Sequence, residues 1–246
     1  MTAARRPYRH WPVALALLAA ALLAGLGVWQ VERRAWKVAL IARVDARLAA
    51  APQAPPPPVR WRAIGPDDAY RRLRASGTWL PVAPAYTQAV TDLGPGWWVL
   101  SPLRTAQGVI LINRGFVPQS RRGTLPVPAG AATVTGLLRI SEPEGGFLRS
   151  NRPAEDRWYS RDTAAIARAR GLGRVAPYFI DADAASSPDW PRGGLTVVRF
   201  RNAHLTYALT WFTLAGMMLF LAWRLARPPA PASGREAEPG GGADGR

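Results

Sequence analysis

Two uncharged apolar runs dominate the pattern of the chain. Trp11–Trp29 and Leu205–Trp223 each hold nineteen residues without Asp, Glu, Lys or Arg. As helices rising about 1.5 Å per residue, each reaches about 28 Å, enough for a bilayer core. Tryptophans sit at both ends of the first run, the level that amphipathic aromatics prefer. Arg5, Arg6 and Arg9 before it would also suit a cleaved signal peptide. The run ends Gly27-Val28-Trp29-Gln30, with no small-x-small site before a polar start, which favours a retained anchor.

After the first run, Trp36, Leu40, Val44 and Leu48 recur every four residues, predicting that a helix continues to Ala50. Residues 51–58 contain five prolines and read as an extended spacer. Short strand-like runs follow at Leu73–Leu80, Tyr86–Val90, Trp97–Leu103, Val109–Val117, Thr133–Ile140, Tyr178–Asp181 and Leu195–Phe200, separated by Gly, Pro, Ser and Asp. A helix is expected over Thr163–Arg170, with Asp162 as its N-cap and Gly171 past its end. The predicted architecture is a membrane protein with two transmembrane helices flanking one α+β, mostly β, extramembrane domain. Its segments are a tail (1–10), helix 1 (11–29), a juxtamembrane helix (30–50), the Pro-rich spacer (51–58), the domain (59–203), helix 2 (204–223) and a disordered tail (224–246).

Composition narrows the chemistry. The 246 residues carry 32 basic and 16 acidic side chains, a formal charge of +16. The arginines are scattered and no aromatic face interleaves with them, so nucleic acid is not an expected partner. The chain has no cysteine, which excludes disulfides, thiolate metal sites and covalent haem attachment. Its two histidines, His10 and His204, cannot build a multi-His centre. Charge does not settle orientation: Arg5, Arg6 and Arg9 face Arg33, Arg34 and Lys37, and Arg224 and Arg227 face Arg199 and Arg201.

No nucleophile elbow, P-loop or metalloprotease motif is present, so no enzyme is expected. Asp181, Asp183 and Asp189 could gather a cation but read first as a turn, and Glu155 and Asp156 as solvated loop charges. In Asn113-Arg114-Gly115-Phe116-Val117-Pro118, Gly115 suits a β-bulge and Arg114 a buried ion pair, or the stretch is simply a strand end. The basic stretch 149–174 is either a solvated face or a docking patch for an acidic partner. His204 opens the second apolar run, with Tyr207 and Trp211 on the same helix face. An imidazole there could ligate a haem iron, with Arg199 and Arg201 placed for propionates. It could equally cap the helix within an aromatic belt.

These pieces together resemble the surfeit locus protein 1 family. The resemblance runs through Gly27-Val28-Trp29-Gln30 with Arg33, Lys37, Leu40 and Ile41, then Gly96-Trp97-Trp98-Val99-Leu100 and Asn113–Pro118. It continues through Gly136-Leu137-Leu138-Arg139, Ser141-Glu142-Pro143 and Arg157-Trp158-Tyr159-Ser160-Arg161-Asp162 to Phe200-Arg201-Asn202, His204-Leu205, Tyr207 and Thr210-Trp211. It covers about residues 25–215 in family order, and members vary around Ala203. The resemblance implies an assembly factor of cytochrome c oxidase in a bacterial inner membrane, with both termini cytoplasmic and the domain periplasmic. Its implied partners are the oxidase catalytic subunit, other assembly factors and membrane lipid. Its implied cofactor is haem a, held by His204 with Tyr207, Trp211, Trp29, Gln30, Arg199 and Arg201 around it. Arg114, Arg139 and Arg161 are candidates for partner contact or for structure. A scaffold that never touches haem, and a membrane-tethered enzyme, are the other classes.

Overall fold

A computed structural model of the chain describes residues 10–146, 148–184, 189–196 and 202–227. It divides into two compact units, residues 1–39 with 201–246, and residues 40–200.

The first unit is a helix pair. Helix α1 (His10–Ala49) runs unbroken for 40 residues, so the first apolar run and the helix predicted after it are one element. The described residues also include α2 (Thr163–Ala169), in the other unit, and α3 (His204–Ala226). Both α1 and α3 are long and apolar enough to cross a membrane. Their packing is inverted relative to a water-soluble bundle. Large side chains such as Leu18, Leu22, Leu209 and Phe220 are exposed, while Ala16, Ala20, Ala208, Ala215 and Ala222 are buried. Small residues let backbones approach and leave the apolar bulk for lipid. The α3 seam, His204, Ala208, Trp211, Ala215, Met218 and Ala222, steps by four and three, a heptad spacing. The helices run antiparallel: Gln30 meets His204, and further into the pair Gly27 lies against the Phe212 ring.

The second unit is a barrel. Its strands are β1 (Arg72–Trp79), β2 (Ala85–Thr91), β3 (Gly94–Thr105), β4 (Gly108–Pro118), β5 (Ala131–Ile140), a short ribbon of β6 (Gly145–Gly146) and β7 (Arg149–Ser150), and β8 (Val175–Ala182). The main sheet has the order β1-β5-β8-β4-β3-β2, and a further β1–β3 pairing closes it on itself. Among the described strand pairs, β4–β8 alone is parallel. Closure depends on β3, whose early residues pair with β2 and whose Leu103–Thr105 pair with β1. Pro102, which has no N–H to leave unpaired, stands where the partner changes. Gly77 faces Thr105 across the closing seam, where a Cβ would overlap the Arg104 carbonyl oxygen.

Alternation along the strands sorts the core. Leu73, Ala75, Leu103, Ile110, Ile112, Leu138, Tyr178 and Ile180 form the largest buried cluster. Between them Leu111 and Phe179 turn the other way, onto Trp158 and α2 residues Ala165 and Ile166. Asp162 caps α2 as expected, accepting from the Ala165 N–H at 2.9 Å.

Two segments differ from the sequence reading. Residues 51–58 are not a free spacer. Pro55 and Pro56 are buried, Gln53 bridges to Leu73, and the Pro56 carbonyl accepts from Trp61 Nε1 at 3.0 Å. Trp61, in a 3-10 turn at Pro58–Ala63, thereby joins the largest core cluster. The strand expected over Leu195–Phe200 is not formed at Leu195 and Thr196, and its remainder lies outside the described residues. So do residues 1–9 and 228–246 of the predicted tails; the rest of those tails is not tail, since His10 opens α1 and α3 continues through Ala226, one turn past the uncharged run.

Candidate functional site

The helix pair contains one polar contact of note. Helix α3 begins at His204 with Ala203 as its N-cap, so the imidazole does not cap it. His204 Nδ1 instead lies 2.7 Å from Gln30 Oε1 on α1. Gln30 is buried and His204 half-buried. An amide oxygen has no proton to give, so Nδ1 carries the shared hydrogen, and in the neutral ring that places the lone pair on Nε2. Burying two polar groups in an apolar pair is costly unless each satisfies the other.

The remaining expected site residues divide by position. Trp211 is half-buried on the same seam as His204. Trp29 and Tyr207 stand more than half exposed, 53% and 56%, on the surface of the pair. Arg199 and Arg201 lie outside the described residues.

The barrel holds a second constellation, which the sequence reading missed. Asp181 on β8 has a side chain only 4% exposed. It accepts from Asn113 Nδ2 at 2.7 Å, Arg139 Nη1 at 2.9 Å and Thr196 Oγ1 at 2.9 Å, with Arg161 Nη1 at 3.6 Å. Arg161 also donates from Nη2 and Nε to Glu142, at 2.5 and 3.1 Å, and its guanidinium lies over the Phe179 ring. Burial works to raise the Glu142 carboxyl, but the hydrogen bonds and charge of Arg161 outweigh it and hold the carboxyl below its ordinary value. Burial likewise opposes the charged Arg161, and Glu142 with Asp181 outweighs it. Asp181 is thus the centre of an ion-pair network, not a turn residue. The one available sign was an acid directly following the apolar Tyr178-Phe179-Ile180. Among the described residues no three His, Asp or Glu side chains gather for a metal.

This network accounts for several motif residues by structure alone. Asn113 also accepts the Gly115 N–H at 3.2 Å, and Gly115 forms the expected bulge opposite the Trp98–Leu100 step of β3. Its φ of +130° and the Arg192 carbonyl pressed against it leave no room for a side chain. Arg139 and Arg161 are internal struts. Arg114 is not the ion-pair partner expected: among the described residues it faces no carboxylate, its Nη1 is buried without a partner, and burial lowers its pKa.

Comparison with known proteins places these features. The SURF1 family matches residues 17–216. Surfeit locus protein 1 of Mus musculus is 33% identical over 231 residues, which is 83% of this chain and 72% of that protein. Surfeit locus protein 1 of Homo sapiens is 33% identical over 224 residues, 80% of this chain and 71% of that protein. A SURF1-like protein of Monosiga brevicollis is 32% identical over 238 residues, 87% of each chain.

Proposed function

We propose that this chain, which belongs to the SURF1 family, is a membrane-held assembly factor of cytochrome c oxidase that assists maturation of the haem-copper catalytic subunit. It acts by binding, not by catalysis. In this reading it sits in a bacterial inner membrane with the barrel on the periplasmic side, and haem a is its transient cargo. Haem a supplies the iron centre that the oxidase subunit must acquire.

The observation that carries the reading is the Gln30–His204 pair. Gln30 Oε1 accepts from Nδ1–H, which orients the ring and, in the neutral form, leaves the Nε2 lone pair for a ligand. The chain's own residues would supply one nitrogen ligand: the half-buried His204 imidazole, with the exposed ring of Tyr207 near it in sequence and that of Trp29 next to its partner Gln30. Trp211 shares its seam, and Arg199 and Arg201 are the proposed partners for propionates. One ligand holds less firmly than two, which suits a carrier that must release its cargo to a better-ligating partner.

A second reading has its own support. The same hydrogen bond satisfies the buried Gln30 and the half-buried His204 and pins α1 to α3. On that account the pair is structural and the protein a haem-free scaffold for the oxidase subunit. The optical spectrum of the purified full chain, from cells that make haem a, separates the two. The carrier reading expects a haem a band that His204→Ala removes at matched yield. A band-free parent chain overturns carriage, and a band unchanged in His204→Ala overturns the ligand assignment.

A further inference from the structure

The barrel carries a cleft that the helix-pair site does not use. It lies between the end of edge strand β2 and the β6–β7 ribbon, where Gln88, Ala89, Val90, Gly146, Arg149 and Tyr159 enclose about 340 Å³. Sharing Gln88, Arg149 and Tyr159, it continues into a smaller hollow bounded by Trp97, Arg122 and Arg157.

Three features of this cleft point one way. The first is uncompensated charge held in fixed geometry. The Arg122 guanidinium stacks 4.5 Å over Trp97 and bonds the Asp156 carbonyl at 3.0 Å. Arg149 lies 5.5 Å over Tyr159 and bonds the Gln88 amide oxygen at 3.2 Å. Neither has a carboxylate partner among the described residues, and Arg157 meets only Glu155, which Arg152 shares. Guanidinium groups oriented by aromatic rings present their N–H edges for bidentate bonds to carboxylates.

The second is open backbone. Gln88 donates its N–H to the Trp158 carbonyl, so it faces outward from β2. Val90, two residues on, faces outward too. Pro95 is opposite it and needs no N–H there. Trp158 already covers the β2 edge at Thr87 and Gln88, so the open part is the main chain of Val90, which has no partner among the described residues and can bond an extended segment there. The third is apolar exposure beside the charge: Val90 is 82% exposed and Leu148, next to Arg149, is 88% exposed.

The geometry points to this cleft as the docking site for an extended, acidic segment of a partner protein. The segment adds as a strand beside Val90, sets its carboxylates on Arg122 and Arg149, and lays an apolar side chain along Val90. Charge complementarity selects the occupant: a chain of net +16 keeps Arg122 and Arg149 without a carboxylate partner, among the described residues, beside the open main chain of Val90.

The test uses the full chain in detergent micelles and a fluorescent eight-residue peptide of alternating glutamate and valine, read by anisotropy. Expected are saturable binding that weakens as salt rises, and a loss of about tenfold or more in Arg122→Glu and Arg149→Glu, each removing one charge-assisted contact. Arg149→Gln, which keeps the Gln88 side of the cleft uncharged and intact, should lose less. A photo-crosslinking residue at position 90 should label the peptide. Absence of binding overturns the proposal, as does binding unchanged in both reversals with their melting curves intact. Equal binding of a neutral glutamine–valine peptide also overturns it. Binding of an eight-nucleotide thymidine oligomer as tight as that of the peptide replaces the acidic segment with a general anion site, and so refutes the partner named.

Discussion

Replacing Asp181 by Asn keeps the shape of the network and removes its central charge. Arg139 then loses the only carboxylate it meets among the described residues, whereas Arg161 retains Glu142. One-sided removal of a buried partner costs about 3–5 kcal/mol. The Arg139 side chain is 21% exposed, so water recovers part of that cost, and the introduced amide can keep its oxygen on Asn113 Nδ2. The net expectation is a loss of about 2–4 kcal/mol, on the order of 4–16 °C in Tm for a chain of this size. Near-ultraviolet circular dichroism follows it directly, because Trp61 and Trp158 are buried in the barrel unit. Arg139→Met supplies the second edge of a thermodynamic cycle. If Asp181 and Arg139 act as one unit, the double substitution costs less than the sum of the singles by about 0.5–3 kcal/mol. A loss below about 1 kcal/mol for Asp181→Asn, or strict additivity in the cycle, would refute the network as a source of stability.

Other outcomes follow from single features. Gly77→Ala places a Cβ on the Arg104 carbonyl and should prevent barrel closure, while Gly25→Ala, which meets nothing within 4 Å, should leave the protein unchanged in the same unfolding assay. Trp61→Ala empties a buried site and should cost about 3–5 kcal/mol by chemical denaturation. Because the chain has no cysteine, a pair introduced at positions 30 and 204 reports only on itself; it should oxidise readily, and adding Gly27→Leu, which displaces the Phe212 ring, should slow that oxidation. Glu142 has its carboxyl held below its ordinary value in the folded state, against burial, by the hydrogen bonds and charge of Arg161, so its share of stability is present above the ordinary carboxyl range and is lost as pH falls through the lowered value. Glu142→Gln should therefore flatten the acid side of a stability-against-pH curve and leave its alkaline side unchanged.

What the sequence revealed depended on how local the cause was. Alternation located β1 to β5 and β8 to within a few residues, because each strand's pattern is written in its own side chains. Asp162 was readable as a cap for the same reason. Closure of the sheet was not, since it rests on Gly77 meeting Arg104 and on β3 exchanging partners at Pro102. The proline run was legible as extended but not as packed, because burial of Pro55 and Pro56 is decided by Trp61 and the barrel end. His204 stood out by its place at the head of an apolar run, and antiparallel spans put Gln30 at its level. The Asp181 network could not be read, because Arg139 and Asn113 lie 42 and 68 residues away from it in the chain. Thr196, expected in a strand, instead gives its hydroxyl to that aspartate.

The strand order carries a consequence for how the protein is made. Strand β8 is the last of the barrel in the chain, yet it sits between β5 and β4, bonded to both. Until Val175–Ala182 has left the ribosome, β4 and β5 each present a bare hydrogen-bonding rim. The long-range pairings that complete such a sheet form slowly, and unpaired rims invite contact with other chains. The nascent chain is therefore most vulnerable just before synthesis of β8, when most of the barrel core already exists without its keystone. A stop codon ahead of Val175 leaves an open, aggregation-prone sheet, whereas one after Thr196 retains every described strand and the hydroxyl that completes the Asp181 network.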